Sequence, residues 1–250
     1  MLIAVLAVAI VAVPVVRWAA ARDTTGRRAD GGRLPVLLVP GYGGSRASLE
    51  QLRATLVRRG IPARTIAVPG NGTGDLRASA RALATAVERT GPGPVDLIGY
   101  SAGGVIARIY VGELGGAARV RHVVLLGAPN HGTKVAELAV QFRAAECAVA
   151  CTQLAPGSAL LDAINGDETP DGPDYLSLWT AKDETVTPPD TARLDGAYNV
   201  ELQSICPDAA TTHGELPRDR LVTGLVLRAL EGGTLEGLGE GDCGTLRAAG

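Results

Sequence analysis

The chain reads as short apolar runs separated by stretches in which apolar side chains recur at helical spacing. Residues 34–39, Leu-Pro-Val-Leu-Leu-Val, follow a polar stretch and end in Pro-Gly, as a strand buried on both faces should. In residues 48–59, Leu49, Leu52 and Leu56 fall on one helical face, closed by Gly60. Residues 63–68 predict a second strand. Asp75 is placed to cap a helix to residue 89, with Leu76, Ala80, Leu83 and Val87 along one side. Strands are predicted at 95–99, 121–126, 176–180 and 199–205, and helices at 102–114 and 216–230. Near-continuous apolar strands alternating with helices predict an α/β fold: a mostly parallel central sheet with helices on both faces. Residues 133–172 break this rhythm. They are expected to form a cap-like excursion over the C-terminal edge of the sheet, where open α/β folds bind ligands.

At 250 residues the chain has the length of one well-buried domain. Its 24 basic and 26 acidic residues leave a net charge of −2, so no field is available to hold nucleic acid. Residues 1–16 carry no charge, and Ala19-Ala20-Ala21 ends this region as a secretory cleavage site would. The run opens Met-Leu-Ile without a basic residue, and Arg17, Arg22, Arg27 and Arg28 follow it. Residues 1–21 are therefore expected to be a signal peptide or an N-terminal anchor, with 22–33 a linker. The folded body spans 34–231 and a C-terminal tail spans 232–250. Four cysteines are an even number, which fits a secreted protein. Three pairings exist; the preferred one joins Cys147 to Cys151 and leaves Cys206 with Cys243. No pair of CxxC arms occurs, so no metal site is expected.

The sharpest chemical signal is Gly99-Tyr100-Ser101-Ala102-Gly103-Gly104, a G-x-S-x-G sequence between a predicted strand and a predicted helix. A serine on so tight a turn needs small neighbours two positions either side, and its hydroxyl then stands above the sheet at a helix N-terminus. Ser101 is the candidate nucleophile. Pro40-Gly41-Tyr42-Gly43-Gly44 follows the first strand, and the main-chain N–H groups of Tyr42 and Ala102 are the candidate oxyanion hole. Of three histidines, His122 opens a strand and His131 follows it closely, leaving His213, after the last strand, as the candidate base. Asp183 follows the strand at 176–180 and is the candidate orienting acid, with Glu184 its rival.

With these motifs, and with Leu126-Gly127-Ala128-Pro129-Asn130-His131-Gly132-Thr133 and an Asp183-x-x-Val186 acid segment, the chain resembles the secreted bacterial lipases of the α/β-hydrolase superfamily, the small triacylglycerol lipase (class 2) type. The resemblance covers residues 34 to about 231; Pro40 departs from it, standing where many members carry histidine. It implies an α/β-hydrolase fold and hydrolysis of a lipid or other carboxylic ester through an acyl-enzyme on Ser101. It also implies no cofactor, a monomer, secretion, and transient contact with a lipid interface. Val135, Leu138, Val140 and Phe142 suit an acyl chain or a covered core equally. Two other readings keep the same frame: acyl transfer on the same residues, or a non-catalytic exported binding module.

Overall fold

The computed structural model describes residues 33–250, so the signal or anchor reading of 1–21 and nearly all of the 22–33 linker lie outside the described residues. Six strands, β1 (Val36–Val39), β2 (Ala63–Thr65), β3 (Val95–Tyr100), β4 (Val120–Leu126), β5 (Asp174–Trp179) and β6 (Tyr198–Glu201), form one sheet in the order β2-β1-β3-β4-β5-β6. Every neighbouring pair is parallel. Helices cover both faces, which is why the central β1 is apolar without a break. Val36, Leu37, Leu38 and Val39 are all fully buried. Leu37 and Val39 pack with α2 (Leu76–Glu88) and α3 (Ala102–Glu113). Val36 and Leu38 face α1 (Glu50–Arg58) and α8 (Arg220–Leu230). Each such Leu or Val contributes about 1.5–3 kcal/mol on burial.

The chain passes from β1 outward to β2, then returns across β1 to β3 and proceeds the other way. The strand order thus reverses between β1 and β3, and the loops leaving their C-terminal ends face the crevice this reversal opens. The α2 helix begins at Asp75, whose carboxylate accepts the Arg77 N–H at 3.0 Å. The 133–172 excursion holds α4 (Lys134–Phe142), α5 (Val149–Gln153) and α6 (Ala159–Ile164). It is tied to the loop after β2 by Ala150 N–H to Thr73 O at 3.0 Å, and to the loop after β5 by Lys134 N–H to Thr187 O at 2.8 Å.

Three boundaries differ from the sequence reading by three residues or more. The strand expected at 199–205 ends at Glu201 and turns into α7 (Leu202–Ile205), because Leu202 and Ile205, three apart, bury one helical side. The strand expected over 63–68 stops at Thr65. The helix expected from 216 starts at Arg220: a 3₁₀ segment, His213–Arg218, contains Pro217, and Asp219 then caps α8. The C-terminal tail carries secondary structure of its own. It ends in α9 (Cys243–Ala249), whose Leu246 enters the α8 side of the core. Gly224 on α8 permits this, since a side chain there would strike the Leu246 carbonyl. Disulfides join Cys147 to Cys151 and Cys206 to Cys243.

Candidate active site

Ser101 sits between β3 and α3 with φ +53° and ψ −127°, a strained conformation for a residue with a side chain. Its surroundings leave no other path. A Cβ on Gly99 would lie 2.5 Å from the Gly104 Cα, one on Gly103 would strike the Val39 carbonyl, and one on Gly104 would lie 2.5 Å from the Ala128 Cβ. The glycines let the start of α3 press against the ends of β1, β3 and the loop after β4. The Ser101 N–H donates to Leu126 O at 2.8 Å and fixes the turn to the end of β4. Ser101 Oγ is thereby held above the sheet at the N-terminus of α3, whose dipole favours negative charge.

Asp183 and His213 arrive from the loops after β5 and α7. One carboxylate oxygen of Asp183 accepts the N–H groups of Thr185 and Val186 at 2.9 and 2.7 Å. The other lies 2.7 Å from His213 Nδ1, and His213 Nε2 lies 3.1 Å from Ser101 Oγ. The His213 and Asp183 side chains are only 6% and 1% exposed, so their contact is shielded from water. The two loops are laced together by Thr180 Oγ1 donating to Thr211 O at 2.7 Å, and the Thr212–Glu215 capping box sets the turn carrying His213. With its Nδ1–H donated to Asp183, a neutral imidazole turns a lone pair toward the Ser101 hydroxyl.

Glu184, the rival acid, meets the main chain of His213 instead: its carboxylate accepts that N–H at 3.4 Å. The other histidines stand elsewhere. His122 lies beside the buried Asp96 at 3.2 Å, near the N-terminal end of the sheet. His131 places Nε2 2.7 Å from Glu168 and Nδ1 3.2 Å from Thr191 O, bridging the β4 exit loop to the excursion and to the loop after β5.

The loop after β1 closes against the serine turn: a Cβ on Gly41 would lie 3.0 Å from the Ser101 Cβ. Gly43 and Gly44 follow with φ +84° and +64°, which turns the loop back past the site. Among the described residues, neither the Tyr42 nor the Ala102 N–H donates to another protein group. Tyr42 is 45% exposed.

Two further residues around the site lie within segments the sequence singled out, but no local pattern assigned either a role. Gly127, at φ +56° after β4, lies against both His213 and Asp183. Tyr100 donates from its hydroxyl to the main-chain carbonyl of His213 at 3.2 Å. Only a folded chain brings them to His213. Among the described residues, no metal-binding set attends the site. The cluster of Cys206, Asp208 and Cys243 has both sulfurs in a disulfide, leaving one carboxylate as a ligand.

Residues 35–146 match the family model described as alpha/beta hydrolase fold. Lipase B of Aspergillus fumigatus superposes with a TM-score of 0.66 at 17% identity, over 80% of this chain and 52% of that one, so this chain spans about half the length of that enzyme. The mature lipase BlEst2 of Bacillus licheniformis gives 0.65 at 20% identity, over 80% of this chain and 93% of the other. An esterase from Exiguobacterium antarcticum gives 0.58 at 18% identity, over 81% and 93%. No curated protein matches by sequence. The parallel sheet, its reversal between β1 and β3 and these superpositions establish that the chain has the α/β-hydrolase fold.

Proposed function

We propose that the chain is a serine carboxylic-ester hydrolase of lipase or esterase type, working through an acyl-enzyme on Ser101. The observation that carries this reading is the unbroken chain from Ser101 Oγ to His213 Nε2 at 3.1 Å and from His213 Nδ1 to Asp183 at 2.7 Å, on a strained turn at the sheet's topological switch. His213 takes the Ser101 proton as Oγ attacks the ester carbonyl carbon. Asp183 holds the tautomer and stabilises the imidazolium that forms. The N–H groups of Tyr42 and Ala102 receive the oxyanion; one such donor contributes roughly 3–4 kcal/mol to the transition state. Collapse of the tetrahedral intermediate expels the alkoxide, which takes the proton from His213. Water then attacks the acyl-enzyme, with His213 again as base, and the acid leaves.

An apolar acyl group is supported by α4, where Val135, Leu138 and Phe142 are 47%, 53% and 78% exposed. They are not a covered core, since Ala136 is the buried residue of that helix. Large apolar side chains held in water favour a substrate presented at a lipid interface. The two disulfides support a protein that works outside the cytosol.

Hydrolysis of p-nitrophenyl esters from acetate to palmitate, by the wild type and by Ser101→Ala, tests the reading. Turnover should fall by roughly 10⁴-fold or more in the variant, and the chain-length optimum should separate esterase from lipase. Equal inertness of both proteins on every ester would overturn hydrolysis and leave acyl transfer or ligand binding.

A further inference from the structure

Tyr100 is the last residue of β3 and the immediate predecessor of Ser101. Strand alternation turns its side chain toward the α8 side of the sheet, where it packs partly buried against that core. From there its hydroxyl donates to the main-chain carbonyl of His213 at 3.2 Å, and its ring lies 5.2 Å from the imidazole, the two planes tilted by 33°. The two residues are 113 positions apart in sequence, so this bond joins the serine strand directly to the loop carrying the base. The imidazole itself is held by Asp183 at Nδ1, and the main-chain N–H of His213 faces Glu184 at the longer distance of 3.4 Å. The carbonyl bond from Tyr100 therefore completes a three-point hold on one residue. It is also the hold that shares a backbone with the nucleophile.

We propose that Tyr100 is a positioning residue: its hydroxyl fixes the His213 main chain so that Nε2 stays within hydrogen-bond reach of Ser101 Oγ. The proposal rests on the serine-hydrolase reading above and adds a residue to it. One rigid unit, Tyr100-Ser101, would then set both ends of the Oγ–Nε2 distance, one through the serine turn and the other through the phenol. Burial foremost, and next the nearby Asp183 carboxylate, push the phenol's ionisation up to about 12 against the opposing pull of Arg218. The hydroxyl thus remains a donor throughout the range in which a neutral histidine base operates.

Tyr100→Phe separates this role from packing, since it keeps the ring and its contacts and deletes only the donor. The probe is a fluorophosphonate, which reports the nucleophilicity of Ser101 without any knowledge of the natural ester. The second-order labelling rate should fall about tenfold in Tyr100→Phe, and kcat on the best p-nitrophenyl ester should fall in parallel with KM within about twofold. The melting temperature, measured on the same samples, establishes that the variant is folded. The His213 Nδ1 proton, observed by NMR in the absence of substrate, should shift or broaden in the variant. An unchanged labelling rate and an unchanged Nδ1 resonance in a folded variant would overturn the proposal, whatever the change in stability. Wild-type protein that the fluorophosphonate never labels would instead bring down the hydrolase reading itself, a result distinct from equal labelling of both proteins.

Discussion

A methyl group placed on Gly127 would sit 3.2 Å from His213 Nδ1 and 3.3 Å from the Asp183 oxygen that nitrogen meets. The backbone of the β4 exit thus forms a floor beneath the contact between the two side chains. The same methyl would lie 2.6 Å from Leu216 Cδ1, and Gly127 has φ +56°, where a side chain is already disfavoured. Gly127→Ala should therefore cost about 2 kcal/mol of stability. It should also lower kcat roughly tenfold or more by displacing the imidazole. Urea unfolding and steady-state kinetics at a temperature where the variant is folded check the two effects separately. A destabilised variant with full kcat would mean that Leu216 alone gives way.

Strain at Ser101 leads to a prediction of opposite sign for stability. Its φ of +53° is tolerated by glycine far better than by any residue with a Cβ. Backbone strain of this kind costs of order 1–3 kcal/mol, of which the greater flexibility of an unfolded glycine offsets part. Ser101→Gly should abolish ester turnover yet raise stability by about 1 kcal/mol, a gain of roughly 2–4 °C in Tm for a domain of this size. Ser101→Ala keeps the Cβ and should gain less. Calorimetry on the three proteins decides it, and a Tm for Ser101→Gly below that of Ser101→Ala would contradict the argument.

The fold was legible where burial is two-sided and local. Runs such as Val36, Leu37, Leu38, Val39 can be read directly because both faces of β1 are covered, and the α2 start can be read because Asp75 caps it through its own carboxylate. Legibility failed where two periods fit one short run. Val200 and Leu202 fit a strand's alternation, but the chain turns at Glu201 and Leu202 with Ile205 aligns on a helix instead. The α9 helix was hidden because a glycine-rich tail with one buried leucine shows no amphipathic period; its place is set by Leu246 against Gly224 and by Cys206–Cys243. For the candidate site, the G-x-S-x-G turn between strand and helix nominated Ser101, and chain order on strand-ending loops then nominated Asp183 and His213. Their distances, and the parts of Tyr100 and Gly127, depend on contacts between strands that no local pattern encodes.

The two disulfides should differ in what they contribute. Cys206–Cys243 spans 37 residues and ties α9 to the end of α7, whereas Cys147–Cys151 spans only 4 within the excursion. Loop-closure entropy assigns about 4 kcal/mol to the first and about 2 kcal/mol to the second. The double variant Cys206→Ala/Cys243→Ala should therefore lose the larger part of the stability, while Cys147→Ala/Cys151→Ala should lose less. Denaturant midpoints of the two double variants check the ranking, and the reverse order would show that native-state contacts outweigh the chain-entropy effect.

Acid sensitivity should trace in part to Asp96, a fully enclosed carboxylate inside β3, at the end of the sheet away from Ser101. Its oxygens accept from Arg121 at 3.0 and 2.5 Å and face His122 Nδ1 at 3.2 Å. Burial pushes this carboxyl up, but the His122 ring beside it and the hydrogen-bonded Arg121 guanidinium pull it further down, to a net value below the ordinary aspartate range. A carboxyl depressed by folding adds stability that is complete above its unfolded value of about 3.9 and is lost as pH falls through the lower folded value. The urea midpoint should consequently drop as pH is taken from about 5 to 3. In Asp96→Asn this part of the drop should vanish, because the amide carries no titrating group. The variant should start about 2–3 kcal/mol less stable at neutral pH, somewhat under the range for a fully buried pair because the Arg121 side chain is 41% exposed. Urea unfolding of both proteins across that pH range tests the sign directly: an equal acid slope in the two would assign the loss to other carboxylates.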